Sequence, residues 1–173
     1  MTMNRYELCT AISQVMYRYA RAVDRMDAEL MLSCFRPDAH IRYGGRFEGD
    51  PQDFVEWIWP LHAAMETHAH LVSNVLVEER TDGIDSESYV LVTLRMTGPE
   101  GQFDYLTRGR YLDRWELDGD GVRIVDRLYV SDFRTTIPVG GHDTEKFLPS
   151  NSVPLVHRSR DRHDASYARL AGS

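Results

Sequence analysis

Leu8, Ile12, Val15, Met16, Tyr19 and Val23 recur at helical spacing, and Arg5, Glu7, Arg18 and Arg21 supply a polar face. This pattern predicts a helix over about residues 4–24. A second, short helix over about residues 27–34 carries Leu30, Met31 and Cys34. Asp27 is placed to cap its start, and Pro37 is expected to end it. Residues 40–43 then read as a short strand before Gly44 and Gly45. A third helix opens at Pro51 and runs over about residues 51–59, proline being favoured in a first turn. Pro60 is expected to kink or split it.

The period changes after Thr67. Residues 68–80, 87–97, 103–117 and 121–134 are rich in β-branched and aromatic side chains. Turn signals at 81–83, 98–101 and 118–121 separate them. Helices followed by four long consecutive strands predict an α+β domain: N-terminal helices packed on one face of a curved, mostly antiparallel sheet. That domain takes residues 1–137. Residues 138–173 contain Gly140, Gly141, Pro149 and Pro154, a charged run from His157 to Asp164, and apolar residues such as Phe147 and Leu155. They read as an arm packing on its own domain or on a neighbouring subunit.

Composition narrows the function. At 173 residues the chain fits one domain with a real core. A net charge of -7 argues against nucleic acid as the main partner. No apolar run approaches the ~18 residues of a membrane span, and the N-terminus has no basic start followed by an apolar stretch. A cytoplasmic protein with no membrane partner is expected. Cys9 and Cys34 fall in apolar helical patterns, which suits core residues rather than a disulfide. No GxSxG, P-loop or GxGxxG motif occurs, so no nucleotide cofactor is implied.

The candidate chemistry centres on Asp24 and two histidines. Asp24 ends the first helix, where the dipole disfavours an acid. It is therefore either an ordinary turn aspartate or one stabilised by solvent, an arginine or a histidine. His68 and His70 are two apart on a strand and share a face, continued by Val72 and Asn74. Ala69, Leu71, Val75 and Val77 are assigned to the other face. The histidine face suits a lined cavity, or else a pair of partly exposed histidines. His-x-His can supply two metal ligands, but no third ligand stands at a recognisable spacing, so no metal is expected. Tyr19 and Tyr43 can donate hydrogen bonds to a substrate oxygen or simply pack. Arg127, central in the last strand, needs an anionic substrate group or a partner such as Asp126 or Asp113. Trp57, Phe103, Tyr105 and Tyr129, with Phe54, Trp59 and Met65, can line a hydrophobic cavity or fill a core.

The run 17–24 (Tyr-Arg-Tyr-Ala-Arg-Ala-Val-Asp), then Asp27 and residues 35–39, resembles the opening of SnoaL-like proteins of the nuclear transport factor 2-like superfamily. Within that superfamily the pattern is similar to scytalone dehydratase, bile acid 7α-dehydratase and hexachlorocyclohexane dehydrochlorinase. Trp59-Pro60 followed by His70 and Asn74 resembles the dehydrochlorinase segment around its catalytic histidine, and residues 120–127 resemble a last-strand motif ending in arginine. The resemblance implies a cone-shaped α+β barrel without a cofactor, often trimeric. It implies an Asp24–His70 dyad, Arg127 assisting a leaving group, and Tyr19 five residues before the dyad aspartate. It also makes Tyr43 a residue that holds a water against a substrate carbonyl. His68 matches no family residue. The second catalytic histidine of scytalone dehydratase has no counterpart here; Arg108, Arg110 and Tyr111 occupy its region.

The expected function is a cofactor-independent lyase, of dehydratase or dehydrohalogenase type, using an Asp–His general base on a small hydrophobic cyclic molecule. Isomerase, cyclase or hydratase chemistry uses the same dyad. A non-catalytic assembly subunit, like the small subunit of ring-hydroxylating oxygenases, shares the fold without needing the dyad. A homo-oligomer, with a trimer favoured, is the expected assembly.

Overall fold

The computed structural model describes residues 3–119, 121–140 and 159–170. Helix α1 spans Arg5–Asp24. Its start is fixed by a reciprocal cap: Asn4 accepts from the Glu7 N–H, and Glu7 accepts from the Asn4 N–H. Leu8, Ile12, Met16, Tyr19 and Val23 form its buried stripe. Its end turns at Met26, whose φ is 51°. There the Met26 N–H donates to Val23 and the Asp27 N–H to Ala22, so the last carbonyls are satisfied although methionine, not glycine, holds the left-handed position. Asp27 directly caps α2, Ala28–Ser33, by accepting from the Leu30 N–H.

Strand β1 spans Phe35–Tyr43, longer than residues 40–43, and it contains Pro37. Its pairing with the last strand slips between Phe35 and His40. Pro37 lies in that unpaired stretch, where its missing N–H removes no ladder bond. A short edge strand β2, Phe47–Gly49, follows. Helix α3 runs unbroken over Pro51–Ala63, capped by Asp50. Pro60 does not split it, because the carbonyl it frees, that of Glu56, lies on the exposed side and can meet water.

Four long strands complete the sheet: β3 Thr67–Arg80, β4 Gly83–Gly98, β5 Gly101–Asp118 and β6 Gly121–Pro138. The order is β2-β1-β6-β5-β4-β3, with β1 and β6 parallel and every other pair antiparallel. The result is the expected α+β architecture: helices packed on a curved sheet that stays unclosed between β2 and β3. The core lies between α1, α3 and the inner sheet face, with Met16, Phe35, Ile41, Phe54, Val90, Trp115 and Ile124 fully buried.

One face assignment changes. A bulge between Ser73 and Leu76, with Asn74 at φ 51°, inserts an extra residue into β3. The extra residue reverses the alternation, so Val75 and Val77 turn inward with Val72. Leu71 and Leu76 face out.

Of the C-terminal arm, 141–158 and 171–173 lie outside the described residues. Residues 159–170, including α4 (Ala165–Leu170), rest on the α1–α2 corner. Tyr167 donates to Asp27 at 2.7 Å, Arg25 pairs with Asp164 at 3.2 Å, and Arg160 donates to the His62 carbonyl at 2.8 Å. No described helix is long and apolar enough to cross a membrane.

Candidate active site

A cavity of about 660 Å³ opens between α3 and the inner faces of β4, β5 and β6. Its walls are mostly aromatic. Tyr19 comes from α1, Tyr43 from the end of β1, Phe54 and Trp57 from α3, and Tyr105, Tyr111 and Tyr129 from the sheet. Tyr129 reaches in because residue 109 is glycine: a Cβ there would stand 2.6 Å from its ring and 2.5 Å from the Val130 carbonyl.

Asp24 and His70, 46 positions apart in the chain, meet at one wall. The His70 ring donates from Nδ1 to Asp24 Oδ1 at 2.7 Å, and the His70 backbone N–H donates to Oδ2 at 3.1 Å. One carboxylate thus grips both the ring and the strand that carries it. A carboxylate only accepts, so the proton sits on Nδ1 and Nε2 is the ring nitrogen left for a ligand. His70 lines the cavity. Asp24 lies behind it, in an outer hollow of about 360 Å³ that also borders Tyr17, Arg21 and Arg25. The aspartate that the helix dipole disfavours has therefore found a histidine.

His68 shares the inward face but not the cavity. Its Nε2 donates to the Val23 carbonyl at 2.9 Å, its Nδ1 has no hydrogen-bond partner among the described residues, and it is buried. Burial also holds its pKa below the usual value. His62, which the sequence pattern did not single out, lines the cavity from α3. Its ring lies 4.6 Å from His68 and 5.9 Å from His70. Burial, together with both neighbouring histidines, pushes its pKa down to about 3. His70 is thus flanked by two neutral imidazoles. The missed signal was positional: His62 follows Phe54 and Ile58 by eight and four residues on the inward stripe of α3. Among the described residues no three His, Cys, Asp or Glu side chains converge as a metal site.

The hydroxyls of Tyr19 and Tyr43 are hydrogen-bonded at 3.1 Å. The Tyr43 ring stacks on Tyr129 with centroids 4.8 Å apart. Burial raises the pKa of both Tyr19 and Tyr43, so they are neutral phenols and one hydroxyl of the pair keeps a proton to donate.

Arg127 stands apart from the expected arrangement. It does not line the cavity; it is completely buried behind it, 4.2 Å from the ring centres of both Tyr19 and Tyr111. Asp113 receives it in a bidentate pair, both bonds 2.7 Å. Burial pushes the Asp113 pKa up and the bidentate bonds to Arg127 pull against it, while Asp113 in turn holds the guanidinium firmly charged. Of the partners anticipated for Arg127, Asp113 is the one it takes. Phe103 also lies away from the cavity, near the far end of β5, where its ring covers Gly98. Trp57, Tyr105, Tyr129 and Tyr43 do line it.

Solved structures share this fold. A provisionally named scytalone dehydratase from Novosphingobium aromaticivorans superposes with a TM-score of 0.66 at 19% identity, covering 76% of this chain and 88% of that one. A type 2 hexachlorocyclohexane dehydrochlorinase, LinA, gives 0.64 at 16% identity, covering 75% and 88%. The Kfla4162 protein of Kribbella flavida gives 0.69 at 14% identity, covering 76% and 95%. At such identities the likeness is one of fold. No curated protein matches the chain. A family model for the SnoaL-like domain matches residues 4–128, most of the helices and sheet described above, and the chain belongs to that family.

Proposed function

We propose that this protein is a lyase of dehydratase or dehydrohalogenase type that works by proton transfer from side chains and needs no cofactor. The single observation that carries the reading is the Asp24–His70 pair at a cavity wall, 2.7 Å apart, which engages Nδ1 and leaves Nε2 for a ligand. In the proposed reaction Nε2 takes a proton from the carbon next to the one bearing the leaving group. The C–H electron pair forms the new double bond and the C–O or C–halogen bond breaks. Hydroxide leaves as water, with the proton returned by the His70 imidazolium, or halide leaves as the anion. Asp24 keeps the proton on Nδ1 and compensates the imidazolium that forms. The neutral Tyr19–Tyr43 pair donates to the oxygen on which charge develops. The aromatic lining suits a small cyclic, mostly apolar substrate. That two fold neighbours are named as a dehydratase and a dehydrochlorinase agrees with this class. Arg127, paired and screened by tyrosines, enters the proposal as a support for Tyr19 rather than as a group touching the substrate.

The test is a panel of β-hydroxy cyclic ketones, whose dehydration gives a conjugated enone visible in the ultraviolet, together with hexachlorocyclohexane. General-base catalysis contributes about 10²–10⁴-fold. Turnover of any member should fall by at least ~100-fold in His70→Ala and stay intact in His40→Ala, an exposed control. Equal turnover by His70→Ala and the parent would sink the scheme. Isomerase or cyclase chemistry would appear as a product of unchanged mass. A homo-oligomer, trimer favoured, belongs to the same proposal. Leu71 and Leu91, opposed on β3 and β4 and both exposed, support a covered outer sheet face, and light scattering reads the mass.

A further inference from the structure

The inner part of the cavity is aromatic and neutral, but its open end is cationic. Two arginines line that end, Arg46 and Arg134. The parallel pairing of β1 and β6 explains why they share it. Tyr43 and Tyr129 are register partners, so the chain running on from each leads to the same end of the sheet. After Tyr43, Gly44 and Gly45 take φ values of 48° and 74° and close a turn in which the Arg46 N–H donates to the Tyr43 carbonyl. On β6, a bulge between Ser131 and Phe133 reverses the alternation. Arg134 then pairs directly with Thr107, a residue of the cavity wall, and so falls on the cavity face.

These two arginines differ from most others in the protein. Arg42 is paired with Asp126, Arg95 with Asp104, Arg110 with Glu87 and Asp132. The side chains of Arg46 and Arg134 make no ion pair or hydrogen bond among the described residues. Asp132, the one carboxylate among the described residues lining this cavity, is already answered by Arg110 at 3.2 Å and Arg108 at 4.0 Å. In a chain of net charge -7, the mouth of the cavity therefore carries uncompensated positive charge. Guanidinium forks match carboxylate and phosphate oxygens.

We infer that the mouth is an anion subsite, so that the ligand is an apolar ring compound bearing a carboxylate or phosphate ester that Arg46 and Arg134 receive. The inference rests on the proposed function for the placement of the ring but not for the chemistry at His70. It makes the tail a determinant of affinity and of orientation, holding the ring with one edge toward Nε2.

Three fluorescent probes test it: 1-pyrenebutyrate, 4-(1-pyrenyl)butyl phosphate and the uncharged 1-pyrenebutanol, titrated into the full chain at low ionic strength. At least one anion should bind about tenfold more tightly than the alcohol. The preference should fall to about twofold or less in Arg46→Gln/Arg134→Gln, and in the parent at high salt. Which anion is preferred assigns the tail as carboxylate or phosphate. His70→Ala should keep the preference, so loss of chemistry and loss of the subsite read out separately. Equal binding of all three probes, no binding of any, or an anion preference that survives the double substitution would overturn the subsite.

Discussion

Replacing Asp113 by alanine is the sharpest test of what Arg127 does. Both side chains have no exposed surface. Asp113→Ala removes two hydrogen bonds of 2.7 Å and leaves a guanidinium among Tyr19, Tyr111 and Phe35, with Nη1 already lacking a hydrogen-bond partner among the described residues. Stranding one member of a buried pair costs about 3–5 kcal/mol. For a chain of this size that is a fall in Tm on the order of 10 °C. The double change Arg127→Met/Asp113→Leu strands nothing and fills similar volume, so it should recover most of the loss or exceed the parent. The cation–π contacts it gives up, worth about 2 kcal/mol or more in a desolvated site, count against that recovery. Urea unfolding followed by tryptophan fluorescence gives all three stabilities. The reasoning fails if Asp113→Ala costs less than about 1 kcal/mol, or if the double variant is no more stable than the single one. Turnover is a second, independent readout. A double variant as stable as the parent but at least ~100-fold slower would return Arg127 to the chemistry, where the family resemblance puts it.

His62 predicts a pH effect. Its folded pKa is depressed from 6.5 to about 3, so the unfolded chain takes up the proton first as pH falls. Stability is therefore lost from about pH 6.5 down toward 3, and His68 acts in the same direction. His62→Leu should flatten that slope between pH 7.5 and 4.5 in urea titrations; an unchanged slope would refute it. Gly109→Ala should cost about 1–3 kcal/mol, since a methyl there meets the Val130 carbonyl and the Tyr129 ring. It should also weaken binding of 1-pyrenebutyrate, and a variant with parental stability and affinity would refute the close approach.

The helices and the four long strands were legible because each rests on a period that local chemistry sustains: the α1 stripe from Leu8 to Val23, the Asp27 cap, the turns before Gly83, Gly101 and Gly121. What escaped were events that change a period without changing composition. The bulge at Asn74 turned Val75 and Val77 inward, and nothing in their residue types announces the extra residue. The bulge beside Ser131 sent Arg134 to the cavity in the same way. Phe103 and Arg127 belong to a third kind of miss. Their side chains were right for a cavity, but how far along a strand the cavity extends, and whether a nearer aspartate claims the arginine, depends on packing across strands. His62 was readable in principle, as a histidine on an apolar helical stripe, yet the same pattern describes a core residue equally well.

The Asp24–His70 pair gains its meaning from the helix end as much as from the hydrogen bond. The C-terminal turn of α1 carries the negative pole of the helix, which is why an aspartate alone is disfavoured there. A ring that becomes cationic during the reaction is favoured by the same pole. The backbone at that turn is also occupied: the Val23 carbonyl already accepts from His68 and from Met26, so it does not compete with Asp24 for the His70 ring. His62 and His68, both pushed toward neutrality by burial, are poor rivals for the proton. In the proposed reaction a proton arriving from carbon therefore has one place to rest, Nε2 of a ring whose Nδ1–H is held by a carboxylate at a helix terminus. The Schellman turn that holds Asp24 there depends on Met26 bearing a left-handed conformation. In the proposed reaction the position of that carboxylate is what this backbone strain, two residues away, would serve.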